Sequence, residues 1–310
     1  MKILFTAALS VFVFFLSGGY YVFMKACHRE KEKSWEDPKA LENTQWAPLA
    51  DRICDAIEYL KDHNAVDIFT RSVEGLKLRA RWLPAENPVG TILLFHGYRS
   101  CSLSDFSVII PFYHSLGFNL LLADQRSHGK SEGQFITFGI CEHKDVLKWI
   151  EYHNAYFGML PVFLGGMSMG ATTVLMAAGR ELPANVRGVI ADCGFSDPKE
   201  ILKSVMRQAR VPVFPLLNIA GWYTKLFAQF GIDEYSTVQA MKSCSIPVLM
   251  FHGTEDSFVP CWMSKLAYEA CASEKRLILV EGATHGTSYL SDRPSCERAL
   301  KDFLMEHLKN

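Results

Sequence analysis

Residues 162–171 read VFLGGMSMGA, and this segment is the most informative one about the fold. Its first four residues form a short apolar run typical of a buried strand, and residues 171–179 favour a helix. Gly166-x-Ser168-x-Gly170 lies between them, the context in which a serine is held on a sharp strand-to-helix turn. Small neighbours are needed there because the strained backbone lifts the hydroxyl above the sheet. Ser168 is therefore a candidate nucleophile, and a turn serine without chemistry is the alternative.

Strand and helix patterns alternate from residue 66 onward. This alternation predicts an α/β fold with a mostly parallel central sheet and helices on both faces. Residues 197–246 interrupt it with apolar and aromatic residues in no strand pattern. The predicted strands are Val66–Arg71, Leu76–Leu83, Thr91–Phe95, Asn119–Ala123, Val162–Gly165, Val186–Ala191, Pro247–Phe251 and Arg276–Val280. The predicted helices are Ala47–His63, Leu103–Leu116, Cys141–Phe157, Ala171–Gly179, Trp262–Cys271 and Ser295–Leu308.

A serine nucleophile needs a base, and the base needs an orienting acid. His285 follows the last predicted strand, and Asp256 follows the strand before it. Because the carboxyl ends of parallel strands meet at one edge of a sheet, Ser168, Asp256 and His285 are expected to converge there. Glu255 and Asp192 are alternative acids, and a surface-loop role is the alternative for His285.

Five motifs in this order resemble the α/β-hydrolase superfamily over about residues 66–308, especially its bacterial membrane-anchored, serine-aminopeptidase-like and cell-surface-hydrolase-type branch. The motifs are Leu94-Phe95-His96-Gly97, the segment Asp124–Gly133, Gly166-x-Ser168-x-Gly170, His252-Gly253-x-x-Asp256-x-x-Val259-Pro260, and His285 before the last helix. The resemblance implies a Ser168–His285–Asp256 triad and an oxyanion hole from the backbone N–H groups of Tyr98 and Met169. It also implies that residues 197–246 form a mobile helical cap.

The expected activity is hydrolysis of carboxylic esters through an acyl-enzyme, a mechanism that needs no metal or organic cofactor. The aromatic residues of the 197–246 segment suggest an apolar pocket wall for a small-molecule ester or acyl substrate. Two alternatives stay open. One is cleavage of peptides or amides near a free amine, and the other is a non-catalytic binding scaffold on the same fold. The sequence identifies no substrate-binding residue.

The N-terminal segment predicts a membrane anchor. Residues 3–24 carry no charged side chain, and a helix of that length reaches about 33 Å, enough for a hydrocarbon core of ~30 Å. A cleaved signal peptide is the alternative, although its apolar run would be long. Basic residues after the span, Lys25, Arg29, Lys31 and Lys33, favour a cytoplasmic domain.

Composition agrees with this organisation. The 310 residues carry a net charge of −1, which argues against a nucleic-acid partner. Nine cysteines without paired spacing indicate reduced thiols rather than a disulfide framework, and no zinc-ligand spacing occurs. The sequence predicts an anchor with its basic flank at residues 1–33, a linker with an amphipathic helix at 34–65, and a hydrolase domain at 66–310 containing the cap at 197–246.

Overall fold

The computed structural model describes residues 2–30 and 50–308. Its strands are β1 (Val66–Arg71), β2 (Lys77–Leu83), β3 (Gly90–Phe95), β4 (Phe118–Ala123), β5 (Val162–Met167), β6 (Val186–Asp192), β7 (Val248–Gly253) and β8 (Lys275–Val280). Its helices are α1 (Lys2–Cys27), α2 (Ala50–Asp62), α3 (Ser102–Phe106), α4 (Ile110–Ser115), α5 (Glu142–Tyr156), α6 (Met169–Ala178), α7 (Pro198–Gln208), α8 (Leu216–Phe227), α9 (Thr237–Met241), α10 (Trp262–Ala270), α11 (Ser288–Ser291) and α12 (Arg293–His307).

The strands form one eight-stranded sheet in the order β1-β2-β4-β3-β5-β6-β7-β8. β1 pairs antiparallel with β2, and β2 pairs antiparallel with β4, whereas every later pairing is parallel. Every residue of β3, β4 and β7 is buried, as expected for strands covered on both faces. The predicted α/β architecture, with its mostly parallel sheet, is confirmed.

Helices cover both faces of the sheet. On one face, the buried residues of α2, α3, α4 and α12 pack with Leu94, Leu122 and Phe163. On the other face, α5, α6 and α10 pack with Leu93, Leu121 and Leu164. The alternation of these neighbours along each strand follows from the period of two for side chains in a strand.

One predicted helix is wrong. Leu103–Leu116 forms two short helices, α3 and α4, instead of one. Pro111 lies in the first turn of α4, where its missing N–H costs no hydrogen bond, whereas inside a longer helix it would break the ladder. The other predicted elements agree with the structure to within a few residues. Residues 31–49, which include Lys31, Lys33 and the start of the predicted helix Ala47–His63, lie outside the described residues.

The 197–246 segment, called the insertion below, contains α7, α8 and α9 between β6 and β7. Its buried residues join a third apolar cluster that includes Phe23 and Cys27 from the end of α1. Leu9–Cys27 of α1 is long and apolar enough to cross a membrane, a property that a signal sequence shares. The last third of this helix is thus packed against the insertion.

Candidate active site

Ser168 lies on the turn between β5 and α6. Its backbone φ of +54° falls in the left-handed region, which costs free energy for a residue other than glycine. A Cβ atom at Gly170 would lie 1.8 Å from the carbonyl oxygen of Phe95, and one at Gly166 would lie 2.3 Å from the carbonyl carbon of Gly170. The absence of a side chain at Gly170 therefore lets the turn approach β3, and its absence at Gly166 lets the turn close on its own backbone.

The structure brings Ser168, His285 and Asp256 together at the carboxyl ends of β5, β8 and β7. His285 Nε2 lies 2.9 Å from Ser168 Oγ, and His285 Nδ1 lies 2.7 Å from Asp256 Oδ2. With the proton on Nδ1 donated to the carboxylate, Nε2 is free to accept the serine proton. The side chain of Asp256 is fully buried, while 27% of the His285 side chain is exposed. The imidazole therefore links a buried carboxylate to a hydroxyl at the surface of a cavity.

The two alternative acids lie elsewhere. Glu255 is exposed, and none of its described contacts reaches His285. Asp192 is half-buried and accepts a hydrogen bond of 2.8 Å from Ser288 Oγ. Burial raises the pKa of Asp192, and that hydrogen bond only partly opposes the rise. Asp256 is thus the carboxylate in contact with the imidazole.

Asp256 is held as an anion by several donors. Burial acts to raise its pKa, but hydrogen bonds from His252 and His285 outweigh burial and lower the pKa to about 2. The backbone N–H groups of Phe258 and Val259 also donate to Oδ1, at 3.0 and 2.8 Å. The carboxylate is therefore charged throughout the range in which an imidazole titrates.

His252 is a neighbour to which the sequence assigned no role, although it begins the motif that contains Asp256. Its Nε2 lies 2.9 Å from the Val259 carbonyl and 3.3 Å from Asp256 Oδ2, both of which are acceptors. Its Nδ1 lies 2.7 Å from Ser264 Oγ, whose own proton goes to the Gly194 carbonyl at 3.0 Å. The Nε2–H group of His252 therefore donates towards the Val259 carbonyl and the Asp256 carboxylate.

Removing the His252 donor is expected to lower kcat. In His252→Leu the Asp256 carboxylate loses one of the hydrogen bonds that hold it as an anion beside the His285 imidazole. The kcat is expected to fall about tenfold, because a hydrogen bond to a charged group contributes ~1.5–3 kcal/mol and part of the geometry survives. His252→Gln, which keeps a neutral donor, should recover part of the loss. Equal kcat values in the wild type, His252→Leu and His252→Gln would contradict the assigned role.

The loop after β3 passes directly over Ser168. A Cβ atom at Gly97 would lie 3.2 Å from Ser168 Cβ, so only glycine fits without a shift. Gly97 N–H donates to Asp105 Oδ2 at 2.7 Å, and the N–H of Arg99 donates to His128 Nε2 at 3.0 Å. Burial lowers the pKa of His128 well below its usual value, which keeps that nitrogen free to accept. These bonds fix the backbone of Tyr98 between them.

Within residues 2–30 and 50–308, the backbone N–H groups of Tyr98 and Met169 have no hydrogen-bond acceptor. Met169 is the first residue of α6, so its N–H points out of the helix end, where the helix dipole favours negative charge. The phenol of Tyr98 donates to the Ala26 carbonyl at 2.7 Å, which ties this loop to the end of α1.

A cavity of about 630 Å³ opens beside Ser168 and His285. Its apolar lining comes from the sheet face that carries α3, α4 and α12, and includes Leu94, Phe106, Ile109, Ile190 and Leu300. No residue of the insertion lines it. The suggestion that the insertion's aromatic residues form the pocket wall is therefore wrong for this cavity. Tyr223 and Phe227 instead contact rings of α1. Phe214 and Trp222 are exposed, and Phe230 is buried in the third apolar cluster.

The same site contains one set of groups close enough to share a metal ion. Ligand atoms of Cys193, Asp256 and His285 all lie within 4.8 Å of one another. Burial raises the pKa of the Cys193 thiol well above its usual value, so the thiolate that a metal needs is disfavoured. Asp256 and His285 already bond to each other, and the arrangement fits proton transfer better than metal binding.

Comparison with known proteins agrees with the fold described above. Residues 90–212 match the family model described as alpha/beta hydrolase fold. The uncharacterized protein YqkD of Bacillus subtilis (strain 168) is 28% identical over 254 residues, covering 81% of this chain and 82% of that protein. Among solved structures, the Pyrococcus furiosus esterase Pf2001 has a TM-score of 0.65 at 20% identity, covering 80% of this chain and 94% of that one.

A second solved structure is Est1E from Butyrivibrio proteoclasticus with ferulic acid bound. It has a TM-score of 0.62 at 21% identity, covering 78% of this chain and 100% of that one. The chain thus has the α/β-hydrolase fold. The match of residues 90–212 to the family model supports a hydrolase.

Proposed function

We propose that this protein is a membrane-anchored serine hydrolase that cleaves carboxylic esters. The observation that carries the proposal is the continuous hydrogen-bonded chain from Ser168 through His285 to Asp256. Its serine lines an apolar cavity, near two backbone N–H groups that have no acceptor in the described part of the chain. A nucleophile, a base, an orienting acid and an anion site are the parts that acyl transfer requires.

The proposed mechanism follows from these positions. Ser168 Oγ attacks the ester carbonyl while His285 Nε2 takes its proton. The N–H groups of Tyr98 and Met169 stabilise the tetrahedral oxyanion, and each such donor contributes about 2.7–4 kcal/mol in comparable sites. His285 then protonates the departing alcohol, and in the second half of the reaction it activates the water that releases the acid. Asp256 keeps the imidazole in the correct tautomer and stabilises its cationic form.

The acidic residues around the cavity favour esters over substrates with a free amine. Asp105 accepts hydrogen bonds from Gly97 N–H and Ser100 Oγ, and burial raises its pKa. Asp192 accepts a hydrogen bond from Ser288 Oγ, and Glu30 pairs with Arg99 at 2.9 Å. Each of these carboxyl groups already has a partner, whereas an amine pocket needs an anion directed at the substrate.

The substrate class is tested by comparing the rates at which the protein cleaves ester and amide substrates. The full-length protein in detergent is expected to hydrolyse p-nitrophenyl acetate and hexanoate, and to cleave aminoacyl-naphthylamides at least about 100-fold more slowly. Faster cleavage of the naphthylamides would overturn the ester assignment in favour of an aminopeptidase. Hydrolysis of neither class, in a protein that binds these compounds, would support the non-catalytic scaffold.

Filling the cavity is expected to shorten the accepted acyl chain. Ile109 lines the cavity and is half-buried, so Ile109→Trp adds volume with limited strain on the core. The kcat/KM for p-nitrophenyl hexanoate should fall about tenfold or more, since overpacking costs ~1–3 kcal/mol, while the acetate should change less than threefold. An equal effect on both esters would show that the cavity does not bind the acyl chain.

We also propose that α1 remains attached and anchors the domain on the cytoplasmic side of a membrane. Gly18 and Gly19 are packed against Leu216 and Ile219 of α8, a use that a cleaved leader would not have. All nine cysteines are free thiols, which suits a reducing compartment. Carbonate extraction tests attachment, and labelling of intact against permeabilised cells with a membrane-impermeant fluorophosphonate tests sidedness. Release by carbonate, or labelling in intact cells, would contradict the corresponding part.

A further inference from the structure

An exposed apolar patch lies on α8 and on the residue stretch that leads into it. Phe214, Trp222, Leu226 and Phe227 expose 78%, 67%, 69% and 51% of their surface. Trp222 and Leu226 lie one helical turn apart and so share a face of α8. Large apolar side chains with this much exposed surface indicate a site of contact with a membrane or another protein.

The patch is continuous with the apolar helix α1. A Cβ atom at Gly18 would lie 2.9 Å from Leu216 Cδ2, and one at Gly19 would lie 2.4 Å from Ile219 Cγ2. Further along, the ring of Tyr20 meets that of Tyr223 at 5.3 Å between centroids. The rings of Phe23 and Phe227 lie 6.0 Å apart. The two glycines thus let α8 lie directly against the end of α1, and the pairs occur in the same order along both helices.

The length of α1 sets where a membrane must end. Residues 2–17 precede the contact with α8 and rise about 24 Å. The hydrocarbon core of a bilayer is ~30 Å thick. It is therefore about one helical turn longer than the segment formed by residues 2–17. The next turn, Gly18–Tyr21, is the one packed on the start of α8. A bilayer that covers the apolar length of α1 therefore also covers the start of α8.

From this geometry we propose that α8 and Phe214 dock into the lipid surface beside α1, so that the insertion is an interfacial membrane element. The proposal rests on the anchor function of α1 stated above. Tryptophan and tyrosine at the level where the span ends are typical of the membrane interface. Exposed Arg207, Arg210 and Lys225 flank the patch, and they would face anionic phospholipid headgroups.

Docking in this position brings the candidate active site close to the lipid. The Lys25 carbonyl, one turn beyond Tyr21, accepts a hydrogen bond of 2.7 Å from Arg99. Arg99 lines the cavity, and its own N–H is one of the bonds that fix the loop over Ser168. The rim of the cavity would therefore stand about one or two helical turns, ~6–10 Å, above the hydrocarbon.

Fluorescence quenching by brominated lipid tests the proposal on the full-length protein. The protein is reconstituted into vesicles of phosphatidylcholine and phosphatidylglycerol with or without bromine on the acyl chains. The wild type is expected to show a quenched component that is lost in Trp222→Phe. Tyr156 provides the matched control because it is 71% exposed and ends α5 before the amino end of β5, whereas the insertion follows the carboxyl end of β6. Tyr156→Trp in the Trp222→Phe background should restore fluorescence without restoring quenching.

The possible outcomes distinguish failure of α8 docking from failure of α1 as an anchor. Flotation of the vesicles reports whether α1 holds the protein on the membrane. If the protein floats but Trp222 contributes no quenched component, the docking of α8 is wrong and the anchor stands. If Trp222 is protected from brominated lipid and from aqueous acrylamide alike, a second copy of the chain covers the patch, which also overturns the proposal. If the protein does not float, the anchor itself is wrong.

Discussion

Replacing Ser168 with alanine is expected to lower kcat for p-nitrophenyl esters by at least about 10⁴-fold. The expectation follows from its position, since its Oγ lies 2.9 Å from the imidazole of His285. The circular dichroism spectrum should be unchanged, because alanine is smaller than serine. Among the described residues, the Ser168 hydroxyl is hydrogen-bonded to His285 alone. The measurement is steady-state turnover of purified full-length protein.

Ser196→Ala is the matched control for this variant. Ser196 is 2% exposed, and its Oγ has no hydrogen-bond partner within the described part of the chain. It does not line the cavity, so its loss should change kcat less than threefold. Comparable turnover by the wild type and Ser168→Ala would remove Ser168 as the nucleophile.

Replacing Asp256 with asparagine is expected to have the second largest effect. Asparagine presents an amide in place of the carboxylate that accepts the His285 Nδ1 proton at 2.7 Å. The imidazole then loses the orientation and tautomer that let Nε2 act as a base, and kcat should fall by about 10⁴-fold. The KM should change little, since Asp256 is buried away from the cavity lining.

Glu255 and Asp192 supply the comparison for this prediction. Glu255→Gln alters an exposed neighbour and should leave kcat within about twofold of the wild type, as is usual for surface positions. Asp192→Asn keeps an acceptor for Ser288 Oγ and should cost less than about tenfold. A loss in either variant as large as that in Asp256→Asn would assign the orienting acid to the wrong carboxylate.

The sequence predicted the sheet and the positions of the candidate triad because both depend on local signals. Apolar runs of four to seven residues identify buried strands, and polar residues at their carboxyl ends must share one edge of a parallel sheet. The glycines around Ser168 carry a steric requirement that can be read without coordinates, and the contacts of Gly166 and Gly170 bear it out. Asp256 was separated from Glu255 only by its place in the motif.

Features that depend on packing between distant segments were beyond the sequence. His252 gains its role from Ser264, Val259 and Gly194, which are brought together only by the fold. The side of the sheet on which the cavity lies depends on how α3, α4 and α12 pack, and no periodicity reports it. The use of Phe23 as a core residue likewise follows from the position of α8 beside α1.

Covalent labelling of the full-length protein with a fluorophosphonate, mapped by peptide mass spectrometry, tests whether Ser168 is an activated nucleophile. The reagent reacts with a serine only when a base removes its proton and an anion site accepts the developing charge. We expect one phosphonylated residue, Ser168, with labelling lost in Ser168→Ala and strongly slowed in Asp256→Asn. Folded protein in which Ser168 stays unmodified, or in which another serine takes the label, would contradict it.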